Sequence, residues 1–308
     1  MDETTGAVEA GSDAVANNAA ASASSTSEAL RAALRYIDEH LEQGLSPDVV
    51  AEASGWRGRA FDRLFAEALG IELQDYVELN RLKRVSFYMA YRGQVDPADV
   101  VAESGYAGLE ALSQAFERRF GQSPIEFRRQ PQWERWHAVY EPLVRIRLAY
   151  TTQDRQVRIE KFEATQVAVM EHRGDLRFIG DTLRKFIAWR KDVGLPPTLH
   201  ATFNVIHDDP APPSPWYRRV DLCVATDRTF GSSFPEIAGK VIPEGRCAVL
   251  RHHGSEDTLV DSIRFLRERW LPDSAEDPRE HPIFFKRLTY FPDIPEREAA
   301  LDLYLPLR

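Results

Sequence analysis

Arg57, Arg59 and Arg63 crowd the start of one short helical segment, and Ser113 and Gln114 occupy the matching stretch further along the chain. An arginine fork can grip guanine O6 and N7 or a phosphate, and serine and glutamine can reach base edges. A second set lies near the end. In Leu301-Asp302-Leu303-Tyr304-Leu305 the leucines alternate with Asp302 and Tyr304, so a strand would turn the carboxylate and the phenol to one face. The aromatics expected around a pocket are Trp189, Phe203, Trp216 and Tyr217, with Phe186 read as plain core. His172 and His252 each stand two residues before a glycine and are read as satisfied structural histidines. Cys223 and Cys247 have no metal-ligand spacing, so neither a zinc site nor a disulfide framework nor any cofactor is implied.

The elements that must position these residues fall into two kinds. From 28 to about 130 the apolar spacing is helical, as in Leu30, Ala33, Leu34, Ile37 and Leu41. Ser46-Pro47-Asp48 opens a second helix, Gly55 stops it, and a third runs from about Gly58 to Leu69: a helix-turn-helix. Asp48-Val49-Val50-Ala51-Glu52 recurs as Asp99-Val100-Val101-Ala102-Glu103, and Ser54-Gly55-Trp56 as Ser104-Gly105-Tyr106. So there are two such units, joined by one long helix from about Gln74 to Tyr91.

From Val157 the alternation becomes that of strands, and a second repeat appears. Ala168-Val169 matches Ala248-Val249, His172 matches His252, Gly174 matches Gly254, and Asp181 matches Asp261. The expected fold is multidomain. An all-α domain with two helix-turn-helix motifs is followed by an α+β domain with a duplicated strand-helix unit and an antiparallel sheet. The divisions are a disordered tail over 1–27, the helical domain over 28–130, an aromatic linker over 131–154 and the α+β domain over 155–308. Within the linker, Trp133, Trp136 and Tyr140 make a free tether a poor reading.

The stretch Phe116-Glu117-Arg118-Arg119-Phe120-Gly121-Gln122-Ser123-Pro124-Ile125-Glu126-Phe127-Arg128, with Arg81-Leu82-Lys83-Arg84 before it, resembles the AraC/XylS family of transcription regulators. The resemblance implies double-stranded DNA as partner, with each second helix of a unit entering a major groove. The second unit departs from the family pattern: Gln114 and Glu117 stand where many members carry basic residues, and Glu110 would repel phosphate. The expectation is asymmetric: the first unit specifies, while the second positions through Arg118, Arg119, Arg128 and Arg129.

Val167-Ala168-Val169 with His172-Arg173-Gly174, their second copy, and the ending Asp302-Leu303-Tyr304-Leu305-Pro306 resemble the GyrI-like small-molecule-binding domain. That resemblance implies a sensor of hydrophobic, often cationic compounds, with Asp302 where the family usually has glutamate; the alternative it implies is a hydrolase with Asp302 and Tyr304 as acid and base partners, or a ligand-sequestering protein whose DNA-binding domain is not essential.

The 308 residues carry a net charge of −9, and 28–130 holds 13 basic against 17 acidic residues, an unusual balance for a protein that must neutralise phosphates. No run approaches the length of a membrane span, and no basic leader precedes an apolar stretch, so a cytoplasmic protein is expected, away from membranes. Two reading units on one chain make a monomer geometrically sufficient, with a dimer left open. RNA polymerase is a further partner for a protein of this class.

Overall fold

The structure, a computed structural model, describes residues 25–56, 59–93, 95–152, 155–207 and 217–308. The expected tail lies outside the described residues over 1–24, and residues 25–27 are already helical. Arg57, Trp216 and the Pro-rich segment before Trp216 also lie outside them, as do the side chains of Arg59 and Tyr217.

Helix α1 covers 25–39. It precedes the first unit, α2 (Pro47–Ala53) and α3 (Arg59–Leu69). The long α4 (Leu73–Tyr91) leads to the second unit, α5 (Pro97–Ser104) and α6 (Leu109–Phe120). Ser46 caps α2 by accepting from the Val49 N–H, with Pro47 in the first turn where no N–H is needed. Gly55 and Gly105 make the equivalent turns with φ of 78° and 71°, the left-handed region that favours glycine. The short α7 (Pro124–Arg129) opens with a capping box: the Ser123 hydroxyl accepts from the Glu126 N–H, and the Glu126 carboxylate accepts from the Ser123 N–H.

The aromatic segment is itself a helix, α8 (Trp133–Tyr150). Trp133, Trp136 and Tyr140 are buried in the same apolar cluster as Phe116, Phe120 and Phe127, and the Trp136 indole donates to Ser86 Oγ at 2.8 Å. These side chains extend the helical core to residue 150.

The second half forms one eight-stranded antiparallel sheet. Its strands are β1 (Val157–Phe162), β2 (Thr165–Asp175), β3 (Thr202–His207), β4 (Tyr217–Ala225), β5 (Ile237–Ile242), β6 (Gly245–His253), β7 (Ile283–Arg287) and β8 (Ala300–Pro306). Their order is β1-β6-β8-β7-β3-β4-β2-β5. The two sequence repeats are the two halves of this sheet. β2, α9 (Ile179–Asp192), β3 and β4 correspond to β6, α10 (Leu259–Arg264), β7 and β8, and β3 pairs with β7 at the seam. The edges are exchanged: β1 precedes β2 in sequence but pairs with β6, while β5 precedes β6 but pairs with β2.

α9 and α10 cover one face, through Ala168, Met170, Leu222 and Phe186 on one side and Leu250, Phe285, Leu303 and Leu266 on the other. The opposite face closes on itself. Phe162 at one edge lies 5.9 Å from Phe203, ring centroid to centroid, although three strands separate β1 from β3. A flat sheet would hold them about 19 Å apart, so the sheet curls around its own second core.

His172 and His252 keep the duplicated role expected of them. Their Nδ1 atoms lie 2.8 Å from Thr182 Oγ1 and 2.9 Å from Ser262 Oγ, and their Nε2 atoms face the carbonyls of Asp175 and Ser255.

Candidate functional site

Where α4 crosses the helix-bearing face of the sheet, a cavity of 710 Å³ opens between the two halves of the chain. α4 contributes Phe87 and Tyr91, α9 contributes Leu183, Phe186 and Ile187, and the segment between β7 and β8 contributes Tyr290 and Phe291. This size and apolar lining suit a drug-sized molecule. The turn after α9, Leu195-Pro196-Pro197, forms part of the rim.

A small set of polar groups breaks the apolar wall. The Tyr290 hydroxyl donates to Thr202 Oγ1 at 2.9 Å, and Arg190 Nη1 donates to the same oxygen at 2.8 Å. Arg287 forks onto Glu256 and reaches Asn204 Oδ1 at 3.2 Å. At the other end Arg92 donates to Asp293 at 2.6 Å, so α4 is tied to the segment that supplies Phe291.

Beside the cavity sits a closed ring of four charges. Lys83 of α4 meets Asp257 at 2.6 Å and Glu296 at 2.8 Å; Arg147 of α8 meets the same two carboxylates at 2.8 Å each. Ser255 Oγ completes it, accepting from Arg147 at 2.9 Å and donating to Glu296 at 2.6 Å. Burial alone would raise the Asp257 and Glu296 carboxyls, but the two cations outweigh it and hold both below the usual carboxylate range. Burial likewise opposes the charge on Arg147, and Glu296 and Asp257 reverse it, lifting its pKa well above normal. The cations come from the helical half and the carboxylates from the sheet half, so the ring clamps the two together.

The effector residues expected from sequence do not meet here. Asp302 and Tyr304 lie on the curled face of the sheet, away from the cavity, because Leu301, Leu303 and Leu305 take the helix-bearing face. The Asp302 carboxylate is bound by Arg251 at 2.5 Å and Arg158 at 3.1 Å; burial favours its neutral form, but these hydrogen bonds prevail and lower its pKa. Tyr304 stacks on Phe284 at 4.8 Å, and burial pushes its phenol up to about 12. Phe203 shares that curled core. Trp189 packs under α9 against Phe230 and Phe234 rather than on the cavity. Phe186, read as core, is buried and also lines the cavity. Sequence reasoning missed Phe87, Tyr91, Tyr290 and Phe291; the signal for the first two was the aromatic run on α4, whose polar neighbours drew the DNA reading instead.

On the helical half, α6 buries Leu112, Ala115, Phe116 and Phe120 and turns Glu110, Gln114, Glu117 and Arg118 outward. Ser113 is half-buried, and Gln114 Nε2 donates to Glu110 Oε1 at 3.3 Å. Arg118 pairs with Glu78 at 2.7 Å, and Arg119 pairs with Glu78 and Asp75 of α4. Arg128 is half-buried, its Nη2 3.4 Å from the Val95 carbonyl. Arg63 is exposed on α3.

Comparison with known proteins agrees with this division. The profile described as "GyrI-like small molecule binding domain" matches residues 155–308, and one described as "Helix-turn-helix domain" matches residues 50–130. The "Probable transcriptional regulator YgiV" of Escherichia coli strain K12 is 34% identical over 157 residues, covering 49% of this chain and 95% of that protein. The "Regulatory protein SoxS" of the same strain is 31% identical over 96 residues, covering 31% of this chain and 88% of SoxS. A cryo-EM structure of an EcmrR–DNA complex is 15% identical with a TM-score of 0.43, covering 89% of this chain and 93% of that one. The chain belongs to the GyrI-like small-molecule-binding family and joins that domain to an AraC-type helix-turn-helix half, which makes it a DNA-binding transcription regulator.

Proposed function

We propose that the effector of this regulator is a hydrophobic small molecule held in the 710 Å³ cavity, and that it acts on DNA binding through α4. One observation carries this reading. The helix that joins the two helix-turn-helix units also supplies Phe87 and Tyr91 to the cavity wall. A ligand resting on those rings touches the DNA reader directly. It shifts the reader only to the extent that it binds one arrangement of α4 more tightly than another.

On the DNA, the first unit is the specifying one, through Arg57, Arg59 and Arg63. The second positions the duplex, with Ser113 and Gln114 as its only base-reading groups. The ion pairs of Arg118 and Arg119 with Glu78 and Asp75 weaken the grip of the second unit, because a phosphate must compete with those carboxylates for the same guanidinium groups, so positioning falls to Arg128 and the exposed Arg129. Among the described residues no helix is long and apolar enough to cross a membrane.

The test is fluorescence anisotropy of the protein on its own upstream DNA, titrated with salt and then with a library of hydrophobic compounds. A log affinity falling linearly with log salt is expected, its slope counting phosphates. A compound that shifts this affinity should lose its effect in Ile187→Trp, which fills the cavity from α9. No specific complex with or without compounds, or a response that survives Ile187→Trp, refutes the reading.

A further inference from the structure

Among the described residues most charges around the cavity are ion-paired; the exceptions are Lys191, exposed at the rim, and the buried Arg190. Arg92 faces Asp293, Arg287 faces Glu256, and Lys83 faces Asp257 and Glu296. Arg190, in the last turn of α9, lines the same cavity and is only 7% exposed. Its Nε donates to the Leu195 carbonyl at 2.9 Å, Nη1 to Thr202 Oγ1 at 2.8 Å, and Nη2 to the His200 carbonyl at 3.2 Å. All three acceptors are neutral. Among the described residues no carboxylate forms an ion pair with it. A guanidinium has five N–H donors, so these bonds leave two for another acceptor. The Phe186 ring, 5.6 Å away, offers a weak cation–π contact in place of a counter-ion.

A buried cation beside an apolar wall is costly, and the field it sets up in that low-dielectric space favours an anion. The carboxylates of the wall, in contrast, already hold cations, so a cationic ligand would find no free partner there and would sit beside Arg190. Asp302, the residue from which a cationic effector was expected, lies on the other face of the sheet with its charge balanced by Arg251 and Arg158.

We propose that the cavity selects an anionic amphiphile, a carboxylate or sulfonate on an aromatic or aliphatic body, with its acid group on Arg190 and its body among Phe87, Tyr91, Phe186 and Ile187. This rests on the effector site proposed above and names the class of ligand it takes. A fork of N–H donors matches the planar or tetrahedral acid group, and Tyr290 and Thr202 stand beside it as further polar contacts.

Two probes with one skeleton test it on the full chain: 1-anilinonaphthalene-8-sulfonate and N-phenyl-1-naphthylamine, which lacks the sulfonate. Each is titrated by fluorescence against the unaltered protein, Ile187→Trp, Arg190→Lys and Arg190→Gln. The sulfonate is expected to bind at least tenfold tighter than its neutral twin. That ratio should fall to about one in Arg190→Gln and stay well above one in Arg190→Lys; Ile187→Trp should weaken both probes. A ratio near one on the unaltered protein, or a ratio that survives Arg190→Gln, overturns the anion selectivity while leaving the cavity as an effector site. If neither probe binds, or Ile187→Trp weakens neither, the cavity reading itself falls and the selectivity with it. Should Arg190→Gln fail to fold, the ratio on the unaltered protein and the effect of Ile187→Trp decide between these outcomes.

Discussion

Asp257→Asn removes one corner of the charge ring while keeping its shape. The carboxylate accepts from Lys83 at 2.6 Å and from Arg147 at 2.8 Å, and those two residues are 3% and 7% exposed. After the change, Glu296 is the one carboxylate still ion-paired with both buried cations, and Asp38 acts on them only from farther away. Removing one partner of a buried pair costs about 3–5 kcal/mol, most of it the uncompensated charge left behind. For a unit of this size, each kcal/mol lowers the melting temperature by about 2–4 °C, so a fall of roughly 6–20 °C is expected. Trp133 and Trp136 sit beside the joint and report it by fluorescence during thermal or urea unfolding at pH 7. Lys83→Met alone should cost a similar amount. The double variant should cost less than the sum by at least about 1 kcal/mol, since each change removes the burden created by the other. The pH dependence has a definite sign. Folding lowers the Asp257 pKa from its ordinary 3.8, so its contribution is complete above that value and is lost as pH falls below it. The gap between the unaltered protein and Asp257→Asn should therefore be constant at neutral pH and shrink only in strong acid. A loss under about 1 kcal/mol, or strict additivity in the double variant, would mean that water reaches the ring and that it behaves as a surface ion pair.

Gly180→Ala puts a methyl 2.5 Å from the Trp133 ring, where α8 packs on α9; a loss of about 1–3 kcal/mol and a red-shifted tryptophan emission are expected, and an unchanged spectrum would refute the close packing. On cognate DNA, Arg63→Ala should weaken binding more than Gln114→Ala, and equal effects in anisotropy titrations would remove the asymmetry. Arg119→Ala should lower the melting temperature by an amount set by about 0.2–1 kcal/mol while leaving the salt slope of DNA binding unchanged, because its guanidinium is held by Asp75 and Glu78. Burial lowers the pKa values of His172 and His252 below their ordinary 6.5, so both are held neutral and stability should fall as pH drops below that value; the double variant His172→Gln/His252→Gln should show a shallower decline between pH 7 and 5 in urea midpoints. Asp38 acts in the opposite direction. Burial raises it from 3.8 to about 6, so the folded state gains stability as pH falls from 6 towards 4; Asp38→Asn should raise the melting temperature at pH 7 and lose this acid gain.

The two internal repeats were legible because each copies a local pattern. Asp48-Val49-Val50-Ala51-Glu52 and its second copy mark the paired units, and the matched histidines mark the two halves of the sheet. β5 was not foreseen. Ile237-Ala238-Gly239-Lys240-Val241-Ile242 buries only its two ends, as an edge strand can, so it shows no alternation of apolar and polar residues. Nor does any local pattern say that β1 must leave its own unit and pair with β6; that pairing follows from how the repeats assemble. The face of Asp302 was read correctly from alternation, but what that face meets was not. Arg251 stands directly across from Asp302 in the β6–β8 register, and only the register makes the pair visible. The cavity was hidden for the same reason. Its walls come from α4, α9 and the segment before β8, far apart in sequence, and each piece alone reads as ordinary amphipathic core.

The placement of α4 bears on how the two halves can communicate. One side of it carries Asp75 and Glu78, which hold α6 through Arg118 and Arg119. Another carries Lys83 into the charge ring, and a third presents Phe87 and Tyr91 to the cavity. All of these lie on one unbroken helix of 19 residues. If this helix moves as one unit, a ligand wedged against Phe87 and Tyr91, as proposed above, would displace the α6 anchor as well. The ring resists such motion, because sliding α4 separates Lys83 from two carboxylates at once. Under this reading the ring sets the energy that the ligand must overcome, and weakening it should bring the reader nearer to its effector-bound arrangement without any ligand. Asp257→Asn should then shift DNA affinity in the same direction as the effector and reduce the further change the effector produces. An effect of the opposite sign, with α4 still folded, would mean that the ring belongs to the effector-bound arrangement and that the ligand tightens the joint rather than loosening it.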